Sequence, residues 1–222
     1  MHQTIPDSVI DALLSLLAEK GWGDISLPEI ADRAGLGLAD LRAAADGKLA
    51  IIAAFQRRVD RAVLEDARTG EEGGDSRRDR LFDIAMRRFD RLTPHRRALV
   101  HLARSAARDP ALAVALNAHS LVSARYMLAA AGLSSEGVRG IARAQGLVVI
   151  LARVGAVWSE DGDPDQGRTM AALDKALERA EAWDRRTGRV AERACRVARR
   201  FGERRTRAAR AAASPAAGAA SA

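Results

Sequence analysis

The sequence predicts an all-α fold, and three observations lead to this class. Apolar residues recur at intervals of three and four along most of the chain, which is the period of an α-helix. Aromatic residues make up only 4% and prolines number six. Ala, Leu and Arg, which lose little rotamer freedom in a helix, dominate instead. The pattern predicts about nine helices and no strand, and it excludes an all-β protein.

The N-terminal third predicts four helices with clear start and stop signals. The first has apolar residues on one face and ends near Gly21. The second begins at Ser26, where Ser26 and Glu29 have the spacing of a capping box, and it ends near Gly35. A short third helix follows over Leu38 to Ala45. The fourth is long, starts at Lys48 and has its own apolar face. The apolar positions of the first and fourth helices are Val9, Ile10, Leu13, Leu14, Leu17, Ile51, Ile52, Phe55, Val59 and Val63.

Later helices are delimited in the same way. A polar, Gly-rich break over 70–76 separates the fourth helix from the fifth. Thr93-Pro94, Asp109-Pro110 and Asp163-Pro164 each place a capping residue before a proline, which predicts a helix start at each proline. The helix over 138–158 is apolar on almost every side, so we expect it to lie centrally. Its longest apolar run, Gly146 to Ala152, is too short to span a bilayer.

The net charge of +7 is unevenly distributed. Residues 1–48 carry four basic against eight acidic side chains, a net charge of −4. Residues 185–222 carry eleven Arg against Glu192 and Glu203, a net charge of +9, which leaves +2 for residues 49–184. The basic character therefore belongs mostly to the C-terminal segment, and the total does not by itself indicate a nucleic-acid partner.

No signal for catalysis, metal binding or targeting is present in the sequence. The single cysteine, Cys195, excludes an intrachain disulfide and a Cys-rich zinc site. The four histidines lack metal-ligand spacing, and no phosphate-binding loop or nucleophile motif occurs. We therefore expect a non-enzymatic protein without metal or cofactor. The N-terminus has neither a secretory nor a transit-peptide pattern, which predicts a cytoplasmic location.

The run from Ile25 to Leu36 carries an Ile-Ala-x-x-Ala-Gly core, and it is followed by a short helix that leads to Lys48. This arrangement resembles the helix-turn-helix of the TetR family of bacterial repressors. The resemblance implies a three-helix DNA-binding head over 1–48 and a helical ligand-binding and dimerisation body over 49–184. It also implies a homodimer that binds an operator in double-stranded DNA, with a ligand pocket in the body that controls the spacing of the two heads.

The third helix departs from the family's pattern. TetR-like proteins usually have a Thr, a Tyr and an aromatic pair where this chain has Asp40, Arg42 and Ala44-Ala45. Arg42 is the best candidate for contacting a base, because a guanidinium can bind a guanine edge with two hydrogen bonds. The alternative for Arg42 is an exposed ion pair with Asp46. The remaining DNA-binding candidates are Ser26 and Lys48 as phosphate contacts, and Arg33 and Leu38.

The body offers candidates for an adaptable apolar pocket. A flexible Met and a few aromatic residues suit such a pocket, whereas an ordinary core is the alternative for each of them. Arg143 stands out because a charge on so apolar a helix is costly unless it is paired, solvated or faces a ligand. The pocket candidates are Met86, Phe89, Tyr126, Met127, Arg143, Leu147, Leu151 and Trp158, and the ligand is an unidentified small apolar molecule.

A second, looser resemblance gives an alternative function. The segments 55–61 and 92–95 look like those of ubiquinone-biosynthesis accessory proteins, which have a TetR-like fold without DNA-binding residues. That resemblance implies an isoprenoid lipid in the body and a membrane-associated C-terminal helix. A basic amphipathic helix is indeed predicted there, with a solvated helix as the alternative, and an Ala-rich disordered tail follows from Ala211. Its candidates for binding an anionic membrane surface or another polyanion are Arg189, Arg193, Arg196, Arg200, Arg204 and Arg207.

Overall fold

The computed structural model describes residues 5–69 and 76–184, which form nine α-helices and no strand. The all-α prediction is confirmed. The chain divides into two compact units, and the boundary follows Leu177. The helices are α1 Asp7–Glu19, α2 Leu27–Ala34, α3 Leu38–Ala44, α4 Lys48–Thr69, α5 Arg77–Leu92, α6 Arg96–Ala106, α7 Pro110–Ala130, α8 Gly137–Glu160 and α9, which covers 167–184 of the described residues.

Helix α1 lies at the centre of the N-terminal part, because it is apolar on more than one face. Leu13 and Leu17 are fully buried. The helix packs against α2 on one side and against α4 and α6 on the other. Helix α4 then continues into the body, where it packs against α5 and α7, and α7 packs against α8. The three-helix head and the body therefore share α4 as a continuous connection.

Two of the four predicted caps are confirmed, those at Ser26 and Asp109. Asp109 caps α7, since its carboxylate accepts hydrogen bonds from the backbone N–H groups of Ala111 and Leu112 at 2.9 and 3.1 Å. The prediction for Thr93-Pro94 is wrong, because Thr93 lies inside a single 3₁₀ turn, its hydroxyl donates to the carbonyl of Phe89, and α6 begins only at Arg96. The prediction for Pro164 is wrong, because the next helix begins three residues later, at 167.

The start of α9 is held by a buried carboxylate rather than by the predicted Asp163-Pro164 cap. Asp161 is 1% exposed and accepts hydrogen bonds from the backbone N–H and the hydroxyl of Thr169 at 2.8 and 2.7 Å. The hydrogen bond from the Thr169 hydroxyl is the main reason that the pKa of Asp161 lies below its ordinary value. The carboxylate thus stays ionised where it satisfies an otherwise orphan N–H group.

Helix α8 does not lie centrally, which corrects the prediction for 138–158. Gly140, Ala144, Leu147, Val154 and Trp158 are buried, but the opposite face is open to solvent. By length and composition α8 could cross a membrane, and 22% of its most apolar 18-residue stretch is buried among the described residues. A helix that is apolar all round can face either its own core or another molecule, and periodicity does not distinguish these cases. The exposed large apolar residues of this face are Val138, Ile141 and Val149.

Candidate nucleic-acid interface

Helices α2 and α3 form the helix-turn-helix that the sequence predicts. Gly35 ends α2 in the left-handed region at a φ of 69°, a conformation that costs glycine least. The N–H of Leu36 donates to the carbonyl of Ala31 at 2.9 Å and closes the turn. In α3 only Leu41 is buried, at 2% exposure. The other side chains of α3 are therefore exposed or only partly buried.

The start of α2 is fixed by the predicted capping box. The Glu29 carboxylate accepts from the backbone N–H of Ser26 at 2.9 Å, and the Glu29 N–H donates to the Ser26 hydroxyl at 3.4 Å. Lys20 adds an ion pair to Glu29 at 2.5 Å. The Lys20 ammonium and the two groups of Ser26 together lower the pKa of Glu29 to about 2. The box is therefore intact at every physiological pH.

The two candidate arginines of the head are both in ion pairs. Arg42 pairs with Asp46 at 2.7 Å on the exposed side of α3, with 73% and 87% of the two side chains accessible. Arg33 donates to Glu19 at 2.8 Å and to the hydroxyl of Ser15 at 2.6 Å. The alternative proposed for Arg42 is therefore what the free protein adopts. An exposed i,i+4 pair contributes only about 0.3–0.5 kcal/mol, so another anion can replace Asp46.

Lys48 is not the solvated residue that a helix start would suggest. Its ammonium donates to the carbonyls of Trp22 and Ile25 at 2.6 and 2.7 Å. It also lies 4.7 Å from the centre of the Trp22 ring. Burial lowers its pKa below the ordinary value for lysine. Lys48 therefore ties the start of α4 to the turn before α2, and its predicted phosphate contact stays a prediction.

Solved structures share this arrangement. A TetR transcriptional regulator from Nitrosomonas europaea matches with a TM-score of 0.63 and 21% identity, covering 80% of this chain and 97% of its own. A TetR transcriptional regulator from Rhodococcus sp. RHA1 matches with a TM-score of 0.53 and 17% identity, covering 78% and 92%. The chain has the TetR fold. No family model and no curated protein matches it.

A cleft of about 250 Å³ lies beside α3, where the resemblance to TetR-like proteins would place aromatic side chains. Helix α3 and the turn after it, which includes Ala45, supply most of its lining, and α2 and α4 contribute one residue each. The small side chain of Ala45 thus leaves open space beside α3. The apolar lining residues are Leu27, Leu38, Leu41, Ala45 and Ile51.

The body brings some of the predicted pocket residues together. Phe89 and Trp158 are buried with ring centres 5.7 Å apart, and the Arg96 guanidinium lies 4.8 Å from the Trp158 ring. Met127 and Leu147 are also buried, whereas Met86 and Leu151 are partly buried against the core. Trp158 Nε1 is buried with no hydrogen-bond partner among the described residues.

Two pocket candidates lie elsewhere. Tyr126 is 59% exposed on α7, so in the single chain it lies on the surface and not in the interior as predicted. Helix α7 is apolar on several faces, and its periodicity therefore could not identify the buried one. Arg143 donates to the carbonyl of Ser134 at 3.3 Å, which accounts for a charge on this apolar helix.

One polar network was not anticipated. The Arg88 guanidinium bonds to the carboxylate of Asp60, which also accepts from the Ser123 hydroxyl at 2.5 Å. These side chains belong to α5, α4 and α7, and Arg88 is 9% exposed. The sequence signal for this network is Asp60, which lies beside the apolar positions 59 and 63. A carboxylate at the edge of a buried helix face needs a partner.

The tail candidates at 189–207 lie outside the described residues. Within 5–69 and 76–184, no three His, Cys, Asp or Glu side chains are placed so that they could hold a metal ion.

Proposed function

We propose that the protein is a ligand-responsive transcriptional regulator of the TetR type that binds an operator in double-stranded DNA and acts as a repressor. The observation that carries this proposal is the exposure of α3. Leu41 is the single buried residue of α3, and α2 before it is well capped. The exposed side chains of α3 are therefore free to enter a major groove. The described TetR structures that share the fold support the same function.

Arg42 is the residue that we expect to contact a base edge. It is the basic side chain of α3, and it protrudes into solvent with 73% of its surface accessible. Its partner Asp46 gives up little when the guanidinium turns to a guanine, because the pair is exposed. Leu38, which is 52% exposed at the start of α3, is placed to contact a thymine methyl group. Ser26 stays a proposed phosphate contact at the start of α2, whereas the ion pair of Arg33 with Glu19 makes it a weaker one.

A homodimer is part of this proposal, and the exposed face of α8 is the surface that supports it. Val138 is 86% exposed, Ile141 57% and Val149 40%, on a helix whose exposed face carries no acidic side chain before Glu160. Several large apolar side chains exposed on one face of a helix indicate an interaction site. A two-fold dimer through this face would place two heads at a fixed separation, as a palindromic operator requires.

The ligand site that we propose lies in the body around Phe89 and Trp158. The buried Nε1 of Trp158 is an unused donor, and leaving such a group unpaired costs about 1–3 kcal/mol. An apolar ligand with one acceptor would satisfy it. Native mass spectrometry of the gently purified protein should show a retained small molecule, and Trp158→Phe should weaken its retention. If no bound small molecule is detected with any candidate ligand, ligand response is removed from the proposal.

We further propose that the protein is cytoplasmic and not an enzyme. The lipid-binding alternative gains no support from the similar structures described above, which are transcriptional regulators. The element that would distinguish it, the predicted basic C-terminal helix, lies outside the described residues.

The function is tested by fluorescence titration of the full chain with DNA from its own upstream region and with a scrambled duplex, at two salt concentrations. Wild type should prefer the upstream DNA at moderate salt. Arg42→Ala should lose about 1–3 kcal/mol of discrimination at one base position. Arg61→Ala is the matched control, since Arg61 forms an equivalent exposed i,i+4 pair with Glu65 on α4. An Arg42→Ala variant with unchanged preference would reject the role of Arg42, and no preference by wild type would reject the function.

A further inference from the structure

All four basic side chains of the head are engaged within the head. Lys20 pairs with Glu29, Arg33 with Glu19 and Arg42 with Asp46. Lys48 bonds to two backbone carbonyls. A head with a net charge of −4 and no spare cation gains little from releasing counterions, although this gain dominates non-specific DNA affinity. If the head binds DNA as proposed, positive charge has to come from outside the head.

Helix α6 carries such charge on one face. Arg97, His101, Arg104 and Arg108 follow each other at intervals of four, three and four, which places them in one stripe along the helix and the turn after it. The three arginines are exposed, and none of them forms an ion pair with the described residues. We call these four residues the α6 stripe.

The C-terminal end of α6 lies beside the base of the head. The Trp22 N–H donates to the hydroxyl of Ser105 at 3.1 Å, so the end of α6 contacts the turn before α2. The same turn accepts hydrogen bonds from Lys48 at the start of α4. Arg104 and Arg108 flank Ser105 in sequence and are therefore close to this turn.

The opposite end of α6 lies farther up α4. His95, just before α6, packs edge-on against Phe55 at 5.2 Å between ring centres. Arg58, which follows on α4, pairs with Asp7 and Asp11 at the start of α1. Ten residues of helix separate Lys48 from Arg58, a rise of about 15 Å. Helix α6 thus runs beside α1 towards the starts of α2 and α4. Helix N-termini are backbone positions that bind phosphate oxygens.

Arg104 and Arg108 are better placed than Arg97 within the stripe. Arg97 lies near Glu19, whose pKa is lowered chiefly by the hydrogen bond from Arg33 and further by the charges of Lys20 and Arg97. Part of its positive charge is thus compensated within the protein. Arg104 and Arg108 lie at the other end of the stripe, nearer to the starts of α2 and α4. They form no ion pair with the described residues, and the carboxylate of the turn before α2, Asp24, lies near Ser105.

We propose that Arg104 and Arg108 contact the phosphate backbone of duplex DNA beside the head. This inference rests on the proposed function, which it extends from α2 and α3 to a body helix. Guanidinium groups bind phosphate oxygens with paired, charge-assisted hydrogen bonds. The contact would add affinity and fix the register of α3 without selecting a sequence.

The test uses the full-length chain with both arginines replaced, Arg104→Gln and Arg108→Gln. Binding to upstream and scrambled DNA is measured over a range of salt concentrations. In a dimer the double variant loses four phosphate contacts, so the slope of log K against log salt should fall by about 3–4, and both duplexes should bind more weakly by a similar factor. The preference for the upstream sequence should remain.

The matched control is the double variant Arg68→Gln and Arg125→Gln. It removes the same charge from exposed body positions on α4 and α7, both far along their helices from the head. A salt slope equal to that of this control would overturn the inference while leaving the proposed function intact. A wild type that binds neither duplex would overturn both. Loss of binding to phosphatidylserine vesicles with unchanged DNA binding would assign the arginines to a lipid surface and overturn the inference as well.

Discussion

Asp60 is the shared acceptor of a buried network that joins three helices. Its carboxylate binds the Arg88 guanidinium and the Ser123 hydroxyl, and the Arg88 and Asp60 side chains are 10% and 16% exposed. A buried ion pair contributes little net stability compared with apolar residues, because both charges lose their hydration. Removing only one partner lowers the stability far more, since the remaining buried charge is left without a partner.

The first prediction concerns this pair. Arg88→Met should lower the free energy of unfolding by about 3–5 kcal/mol because it leaves the Asp60 carboxylate buried and unpaired. Adding Asp60→Leu to the same chain should restore most of the loss. Chemical denaturation followed by circular dichroism measures both. Arg61→Ala, which breaks an exposed pair on the same helix, should change stability by less than about 0.5 kcal/mol. A cost for Arg88→Met as small as this would contradict the buried network.

At the scale of elements, glycines of α8 differ sharply in their surroundings. A Cβ built on Gly140 would lie 2.1 Å from the carbonyl carbon of Ser135, which belongs to the turn that precedes the helix. A Cβ on Gly155 would meet only the edge of the Phe89 ring, at 3.9 Å. The close approach at Gly140 is made by backbone, which cannot move aside as a flexible side chain can.

The second prediction compares alanine at these two positions. Gly140→Ala should lower the free energy of unfolding by about 1–3 kcal/mol, because the methyl group forces the turn away from the helix. Gly155→Ala should raise it by up to about 1 kcal/mol, because alanine favours the helix and fits the available space. Thermal and urea unfolding of the two variants give the sign directly. Equal effects at both positions would contradict the described turn.

The sequence predicted an element well where its boundaries depend on residues close together in the chain, and poorly where they depend on distant residues. The capping box at Ser26, the stop at Gly35 and the start of α4 at Lys48 depend on neighbouring residues, and the structure confirms them. The start of α9 depends on Asp161, eight residues before its partner Thr169, and it was misplaced. The exposed faces of α7 and α8 were also missed, since two helices that are apolar all round give no periodic signal of which side is covered.

The candidate site shows the same limit. The Arg42–Asp46 pair lies within one helical turn and was anticipated as an alternative. Lys48 bonds to carbonyls 23 and 26 residues earlier, which spacing alone did not indicate. The α6 stripe was visible in the sequence as a regular spacing, but its position beside the head depends on the contact of Ser105 with Trp22.

At the scale of the whole molecule, the proposed dimer depends on α8. Val149→Arg should convert the dimer to a monomer, because it places a charge on the exposed apolar face of α8. Val114→Arg is the control, since Val114 is 71% exposed on α7 and should leave the dimer intact. Sedimentation velocity of both variants measures the mass. A dimer that survives Val149→Arg but not Val114→Arg would move the interface to α7.

The central claim is that two heads of one dimer bind specific duplex DNA, and hydroxyl-radical footprinting on the upstream region tests it most directly. At moderate salt the full-length wild type should protect two symmetric patches whose centres lie about 10–10.5 base pairs apart, or a multiple of this spacing. Arg42→Ala should weaken both patches equally, because each half-site meets the same α3. No protection, or protection spread evenly along the duplex, would contradict sequence-specific binding by this head.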